Sequence, residues 1–427
     1  MKKTVSLLLL FIGILSHQQV DACSIFSCSK NGQVLAGANE DDYTSFHYMW
    51  FVPATDKSYG AVFFGQNNMQ TQAGMNEYGL FFDYAAIPRI EANDRKIDFI
   101  STAEILATCK TVEEALVVFQ KHTFSAFSSQ MLLADATGQS VLINADTIVH
   151  KTGDYQITTN FNVCDLKDKS YNCLRYDKID QALSQADDIS VALFSEILDD
   201  VHQEGEVSTQ YSNIYDLKNQ KIHINWFHNF NETLVVDLKE ELKKGFRVEN
   251  LGDQFQQKNF AALRFQKAEN AYFYNKLLHE FWQNGLEAGC KLFEQFVNEY
   301  PEKADLIKED FSWIPYGLIG QARVAHHSLP FDYYYIPMLS DYKMIWQSDN
   351  KLLFQALAVL DYIETHDLKT SDFHFFEVTG YTHMVLGNLD TSIANYEKAI
   401  MAAEEGSREE KRATNTLARI NVKRLRD

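Results

Sequence analysis

The residue with the clearest chemical potential is Cys23, which directly follows a segment that has the features of an export signal. If the chain is cleaved before Cys23, one residue carries both a thiol and a free α-amine. The thiolate is the reactive form of cysteine, and a thiol at its unperturbed pKa is only slightly ionised near neutral pH. A terminal amine has an unperturbed pKa of about 7.7–8.0, so it can accept the thiol proton. We therefore expect Cys23 to be a nucleophile whose own amine serves as its base.

Residues 1–22 carry the signal features. Two lysines give a positive start, residues 5–15 form an uncharged run, and Val20 and Ala22 place small or apolar residues before the cleavage point. Spanning a bilayer takes about 20 apolar residues, which neither this run nor any later uncharged run provides. We expect no transmembrane segment, and a mature chain that is periplasmic or secreted.

A cysteine in this position has a second role to weigh. Bacterial lipoproteins are acylated at a cysteine directly after the signal, and lipidation consumes the same amine. Val20-Asp21-Ala22 is an imperfect lipoprotein signal, because the charged Asp21 is atypical at its position. A surface lipoprotein without catalytic function is therefore an alternative, less favoured than the enzyme.

Composition limits the partners and cofactors. The net charge of −19 over 427 residues argues against binding to nucleic acid. Among the six cysteines, Cys164 and Cys173 are nine residues apart and could form a disulfide, and Cys28 could pair with either of them. The sequence contains no CxxC pair and no HExxH motif. We therefore expect neither a metal site nor a cofactor.

Residues 23–245 are patterned as a sheet-rich α+β domain. Turn signals such as Asn31-Gly32 favour hairpins, since Asn-Gly accepts positive φ. Short apolar runs predict strands at 33–36, 61–64, 80–84, 131–134, 140–143 and 221–225. Helical periodicity predicts helices at 101–109, 112–122, 173–184 and 191–201. The order of strands and helices indicates stacked layers.

Residues 246–427 form a second, all-helical domain by their periodicity. Gly380, Gly387, Ser392 and Tyr396 fall on the spacing of a tetratricopeptide repeat, in which small residues let two helices approach while aromatic rings fill the gap. The domain thus resembles a tetratricopeptide-like array, and a protein partner is a candidate ligand for it. An irregular helical bundle is the alternative.

The N-terminal domain resembles a family of enzymes. The resemblance is to the choloylglycine hydrolases and penicillin V acylases, and more closely to the isopenicillin N acyltransferases. It rests on blocks that run in order along the chain: 23–26, 31–32, 37–41, 74–80, 132–138, 159–161, 174–176 and 211–221. The resemblance implies the αββα sandwich of N-terminal-nucleophile hydrolases.

The same resemblance implies a catalytic set. Cys23 would attack an amide carbonyl, Asp41 would hold the α-amine, and Asn160 would donate its side-chain amide to the oxyanion. Arg175, if near the thiol, would favour the thiolate. Each has a simpler interpretation: Asp41 and Asn160 as turn residues, and Arg175 as a surface charge on a helix.

Asp83, Tyr84 and Trp50 are the candidate substrate-binding residues. Asp83 could bind a cationic group of the substrate, although a buried structural aspartate is an equal alternative. Aromatic residues such as Trp50 could line an acyl pocket or belong to the core. Bile salt hydrolases carry arginine where this chain has Ala38, so a bile-salt substrate is disfavoured.

Three functions follow from these observations. The first is an exported hydrolase that cleaves linear amide bonds of N-acyl compounds through an acyl-enzyme at Cys23. The second is an acyltransferase that uses the same nucleophile with an amine acceptor, and the third is the lipoprotein. The sequence does not separate the first two, because the choice depends on water exclusion and acceptor binding.

Overall fold

The structure is a computed structural model that describes residues 23–67, 71–90, 102–119, 128–145, 147–167, 171–268, 271–325 and 351–424. The expected export signal at residues 1–22 lies outside these ranges. Within them, none of the helices is long and apolar enough to cross a membrane.

Two antiparallel sheets form the N-terminal domain. In chain order the strands are β1 (Ser24–Lys30), β2 (Gln33–Asp42), β3 (His47–Val52), β4 (Ala61–Gln66), β5 (Thr71–Asn76), β6 (Phe81–Ala86), β7 (Ser129–Ala134), β8 (Ser140–Ile143), β9 (Ile148–His150), β10 (Tyr155–Thr158), β11 (Ser208–Asp216), β12 (Lys221–Trp226), β13 (Asn229–Asp237) and β14 (Arg247–Asn250). The first sheet has the order β10-β1-β2-β11-β12-β13, and the second has the order β14-β3-β4-β5-β6-β7-β8-β9.

The inner faces of the two sheets pack against each other. Successive side chains of a strand point to opposite faces, so alternate residues such as Ile25 of β1 and Phe81 of β6 meet in one buried cluster. Helices cover the outer faces: α1 (Thr102–Thr108) and α2 (Val112–Phe119) on the second sheet, α3 (Leu174–Gln185) and α4 (Val191–Asp200) on the first. The predicted α+β domain of two layered sheets with helices is confirmed.

The hairpin between β1 and β2 sets the geometry around the nucleophile. Asn31 and Gly32 have φ values of 48° and 83°, as a tight turn of this kind requires. The turn fixes the register, in which Ser24 pairs with Asn39. Cys23, one residue before Ser24, therefore lies beside Glu40.

A helical region follows the sheets. After α5 (Leu238–Leu242), which precedes β14, the helices are α6 (Phe260–Ala268), α7 (Tyr272–Asn284), α8 (Leu286–Glu299), α9 (Ala304–Ser312), α10 (Ile314–Ala325), α11 (Lys351–Thr365), α12 (Asp372–Val385), α13 (Leu389–Ala402) and α14 (Arg408–Arg424). The apolar faces of α7 to α14 form one buried core, separate from the cores of the sheets, whereas Ala262 of α6 packs with Trp226 and Phe227.

The sheet domain extends beyond the boundary expected at residue 245. The strand β14 pairs with β3, with Arg247 opposite Phe51 and Asn250 opposite Tyr48. This strand is short and polar and lies at the edge of the second sheet, so it carries little of the apolar alternation by which strands are recognised.

The helix α7 joins the helical region to the second sheet. Tyr48 Oη lies 3.3 Å from His279 Nδ1, and the Tyr48 and Trp282 rings are 5.0 Å apart. Asn275 Nδ2 donates a hydrogen bond to Thr44 Oγ1 at 3.2 Å. The helical region therefore packs directly on the strand β3.

The helices α12 and α13 form the predicted helical hairpin. Gly387 lies in the turn with a φ of 81°, and Ser392 Oγ donates to Gly380 O at 2.7 Å. A Cβ atom at Gly380 would lie 3.0 Å from the Tyr396 ring, which explains the small residue there. An array of tetratricopeptide repeats, and a partner for it, stay predictions.

All six cysteines are free thiols. The disulfides considered among Cys28, Cys164 and Cys173 are therefore not formed. Thr159 Oγ1 instead donates to Cys173 Sγ at 3.2 Å. Cys28 is buried on the outer face of β1, toward α3 and α4.

Candidate active site

The side chain of Cys23 lies between the two sheets, immediately before β1. Only 8 % of the residue is exposed. Its Sγ donates a hydrogen bond to Glu40 Oε2 at 3.5 Å. The predicted nucleophile is therefore a buried thiol whose hydrogen points to a carboxylate.

Glu40 and Asp83 form a buried pair of carboxyl groups beside this thiol. Glu40 shares its face of β2 with Ala38, and Asp83 shares its face of β6 with Phe81, so both side chains point into the space between the sheets. The two residues are 1 % and 0 % exposed. No group among the described residues donates a hydrogen bond to Glu40 Oε1 or Asp83 Oδ2. Since a carboxylate only accepts, a proton held by one of the two acids supplies the missing donor.

The pKa shifts indicate which acid holds that proton. Burial, and then the charge and hydrogen bond of Glu40, raise the pKa of Asp83 well above its usual value. Burial also raises the pKa of Glu40, but hydrogen bonds from Asp83 and Cys23 oppose that shift. Two adjacent buried carboxyl groups cannot both ionise at low cost. Asp83 is therefore the protonated member, and Glu40 is the acceptor for the thiol.

The thiol itself is held in its protonated form. Burial raises the pKa of Cys23 well above its usual value, and the negative charge of Glu40 is the next largest cause of the rise. A backbone hydrogen bond from Asp41 acts in the opposite direction. Arg175, which was expected to favour the thiolate, contacts the carbonyl oxygen of Cys23 at 3.2 Å. Attack on a carbonyl therefore requires a base that removes the proton during the reaction.

Glutamine in place of Glu40 is expected to lower the pKa of the Cys23 thiol, because it removes the negative charge that raises this pKa most. A lower pKa means that the thiolate forms at lower pH, so the pH–rate curve for alkylation of Cys23 by iodoacetamide should shift toward acid. Intact mass measured over a pH series follows this reaction. Glu249→Gln, on β14, should leave the curve in place. An unshifted curve for Glu40→Gln would contradict the assigned electrostatics.

Asp41 lies on the opposite face of β2 from Glu40. Its Oδ1 accepts a hydrogen bond from Thr209 Oγ1, and its Oδ2 accepts one from Gln203 Nε2 at 2.8 Å. Arg175 Nη1 lies 3.6 Å from Oδ2. Burial raises the pKa of Asp41 to about 8, while the Thr209 hydrogen bond and the Arg175 charge oppose this shift. Asp41 is thus a buried carboxyl group fixed by several donors.

Arg175, in the first turn of α3, joins the remaining predicted residues. Its Nη1 donates to Cys23 O at 3.2 Å and to Ser24 Oγ at 2.9 Å. Its Nη2 donates to Asn160 Oδ1 at 2.7 Å. Asn160 follows β10, and its Nδ2 donates to Ala86 O at 2.8 Å. With Asp41, the four predicted catalytic residues form one contact network.

Two of the predicted substrate-binding residues lie elsewhere. Trp50 belongs to the core on the outer face of the second sheet, and Tyr84 packs against that core. Trp50 stacks on Phe63 with ring centroids 6.0 Å apart. Because side chains alternate along a strand, the inward direction of Asp83 forces its neighbour Tyr84 outward. Only Asp83 of the three faces Cys23.

The structure adds site residues that the sequence analysis did not single out. They are Ser24, Glu40, Gln203 and Thr209. Glu40 carried a usable signal, since it is two residues from the inward Ala38 on one strand. Gln203 and Thr209 carried none, because Thr209 reaches Asp41 through the pairing of β11 with β2, and Gln203 reaches it from the loop before β11.

A family comparison matches most of this domain. Residues 28–235 match the family described as "Acyl-coenzyme A:6-aminopenicillanic acid acyl-transferase". The match extends from β1 to β13. A comparison with curated proteins finds no significant match.

Solved structures of three enzymes are similar to part of the chain. A variant of conjugated bile acid hydrolase from Clostridium perfringens is 17 % identical, with a TM-score of 0.45, over 56 % of this chain and 99 % of that one. Penicillin V acylase from Agrobacterium tumefaciens is 18 % identical, with a TM-score of 0.41, over 54 % of this chain and 90 % of that one. The N-acylethanolamine-hydrolyzing acid amidase ortholog from Caenorhabditis elegans is 15 % identical, with a TM-score of 0.35, over 46 % of this chain and 93 % of that one. The similarity of the domain to an acyltransferase family rests on the family match.

Proposed function

We propose that the mature chain begins at Cys23 and is an exported hydrolase of linear amide bonds in N-acyl compounds. The observation that carries the proposal is the contact network in which Arg175 joins Cys23, Asn160 and Asp41. The match to an acyltransferase family supports acyl chemistry of this type. The export signal and its cleavage are part of the proposal.

The reaction proceeds through a thioester. As Cys23 Sγ bonds to the carbonyl carbon, the thiol proton passes to the α-amine, and Asn160 Nδ2 donates to the oxyanion. The C–N bond then breaks, and the α-amine returns its proton to the leaving nitrogen. Water attacks the thioester and gives a proton to the α-amine, which restores the thiol as the acid leaves. Glu40 holds the thiol hydrogen between turnovers.

The position of the thiol argues against the lipoprotein alternative. Lipidation would attach a diacylglyceryl group to Cys23 Sγ. That atom lies in the core between the sheets, hydrogen-bonded to Glu40. A bulky lipid there would have to displace the packed inner faces, and such overpacking is destabilising.

Mass spectrometry of the mature protein tests this proposal. We expect Cys23 to be the first residue and its amine to be unmodified. After incubation with N-acyl amino acids or phenoxyacetyl amides and quenching with acid, we expect a thioester adduct at Cys23. A diacylglyceryl adduct or a different terminus would contradict the mechanism. An unacylated thiol with every amide would contradict the substrate class. Because the family name denotes a transferase, added amines test whether the acyl group passes to an acceptor instead of water.

A further inference from the structure

His202, Glu204 and His228 come together where the loop after α4 meets the turn between β12 and β13. One ligand atom from each residue lies within 4.8 Å of the other two. The two imidazole rings are 4.6 Å apart, and His202 Nε2 lies 3.4 Å from Glu204 Oε1. Two histidines and one carboxylate are a ligand set that zinc sites use.

The surroundings of His202 fix which nitrogen faces this cluster. His202 Nδ1 lies 2.5 Å from Asp199 O and 3.3 Å from Asp199 Oδ1. A carbonyl oxygen only accepts, so Nδ1 carries a hydrogen, and Nε2 is the nitrogen that faces Glu204. Metal-binding histidines are oriented in the same way, with the second nitrogen donating to a carbonyl or carboxylate.

The His228 ring is held in place by its backbone conformation and by a neighbouring side chain. The turn that carries it holds Phe227 and His228 at φ values of 45° and 57°, a region that residues other than glycine seldom adopt. Ser208 Oγ lies 3.1 Å from His228 Nε2. The ring is thus held over His202.

We propose that His202, Glu204 and His228 bind a divalent transition-metal ion, zinc foremost, with the remaining position open to solvent. A set of two imidazoles and one carboxylate suits zinc, nickel or copper better than calcium or magnesium. Zinc–ligand distances of about 2.0–2.2 Å require the ligand atoms to move closer together. The Glu204 side chain, 76 % exposed, can make that movement. Sequence spacing predicted no metal site, because the two histidines lie on separate elements.

The site adjoins the catalytic network. Gln203 lies between two of the ligands, and its Nε2 donates to Asp41 Oδ2 at 2.8 Å. A cavity of about 400 Å³ beside this loop includes Arg175, His202 and Gln203 in its lining. A bound ion would hold the loop that positions Asp41. This consequence rests on the proposed function, whereas metal binding does not.

Titration calorimetry of the mature chain with zinc chloride tests the site directly. We expect one ion per chain, and an affinity that falls more than about tenfold in Glu204→Gln and in His228→Ala, since each variant removes a ligand. His223→Ala, which changes a histidine on the adjacent strand β12, is the matched control and should bind as the wild type does. The cobalt spectrum should lack a thiolate charge-transfer band, which excludes the cysteines as ligands.

Equal affinity in wild type, Glu204→Gln and His228→Ala would overturn the site, as would a thiolate band. Circular dichroism checks the fold, and the exposed position of Glu204 keeps the test valid if His228→Ala misfolds. Amide hydrolysis before and after chelation tests the link to Asp41 separately. Unchanged turnover after removal of zinc would refute the link between the bound ion and Asp41, but it would not contradict the metal site itself.

Discussion

Serine in place of Cys23 is expected to give a folded protein that hydrolyses no amide. The substitution exchanges sulfur for oxygen and removes no packing atoms. A hydroxyl is far less acidic than a thiol, and the bases close to it in the described part of the chain would be an α-amine and the Glu40 carboxylate. Turnover should therefore approach the roughly 10⁶-fold loss that follows removal of a nucleophile in a serine protease. Release of amine from an N-acyl panel, with circular dichroism for the fold, measures this.

Cys28 provides the matched control for this variant. It lies on β1, the strand that Cys23 directly precedes, is 2 % exposed, and is also a free thiol, but it points to the outer face of the first sheet. Cys28→Ser should keep the activity and lose none of the thioester adduct at Cys23. Activity retained by Cys23→Ser, or a thioester adduct found at Cys28 instead of Cys23, would refute the assignment of the nucleophile.

Local signals in the sequence predicted the elements that present this nucleophile. Asn31-Gly32 predicted the hairpin, because few other residue pairs accept two positive φ values. The helix predicted at residues 173–184 matches α3 within one residue at each end, and it carries Arg175. The predicted strand at 33–36 ended too early to include Glu40, although alternation along the full strand β2 (Gln33–Asp42) places Glu40 on the face of Ala38. Features that depend on local backbone conformation or on the periodicity of side chains could thus be predicted from the sequence.

The contacts between the two sheets could not be predicted from the sequence. Glu40 and Asp83 lie on strands of different sheets, and nothing local specifies which strands face each other across the core. A glutamate within a strand is ordinarily an exposed residue, so its burial depends on the partner that shares its proton. Trp50 shows the reverse case, since its size suggested a pocket while its position on β3 directs it to the outer core.

Alanine in place of Asn160 is expected to lower turnover by about 10²–10³-fold, with a smaller effect on the Michaelis constant. An oxyanion donor bonds more strongly to the tetrahedral intermediate than to the ground-state carbonyl, so its loss raises the barrier. The loss corresponds to about 2.7–4 kcal/mol of transition-state stabilisation. Steady-state kinetics normalised by active-site titration of Cys23 give the turnover of the folded fraction alone.

A purely structural role for Asn160 predicts a different result. Its bonds to Arg175 and Ala86 would then only order the segment after β10. Their loss would lower stability by about 1 kcal/mol, as for a typical point mutant, and leave turnover per titrated site unchanged. Asn162→Ala is the matched control, because Asn162 accepts from Cys164 N in the same segment but has no part in the network. If both variants melt at a lower temperature than the wild type and only Asn160→Ala loses turnover, Asn160 is the oxyanion donor. Equal turnover in the two variants would remove Asn160 from the catalytic set.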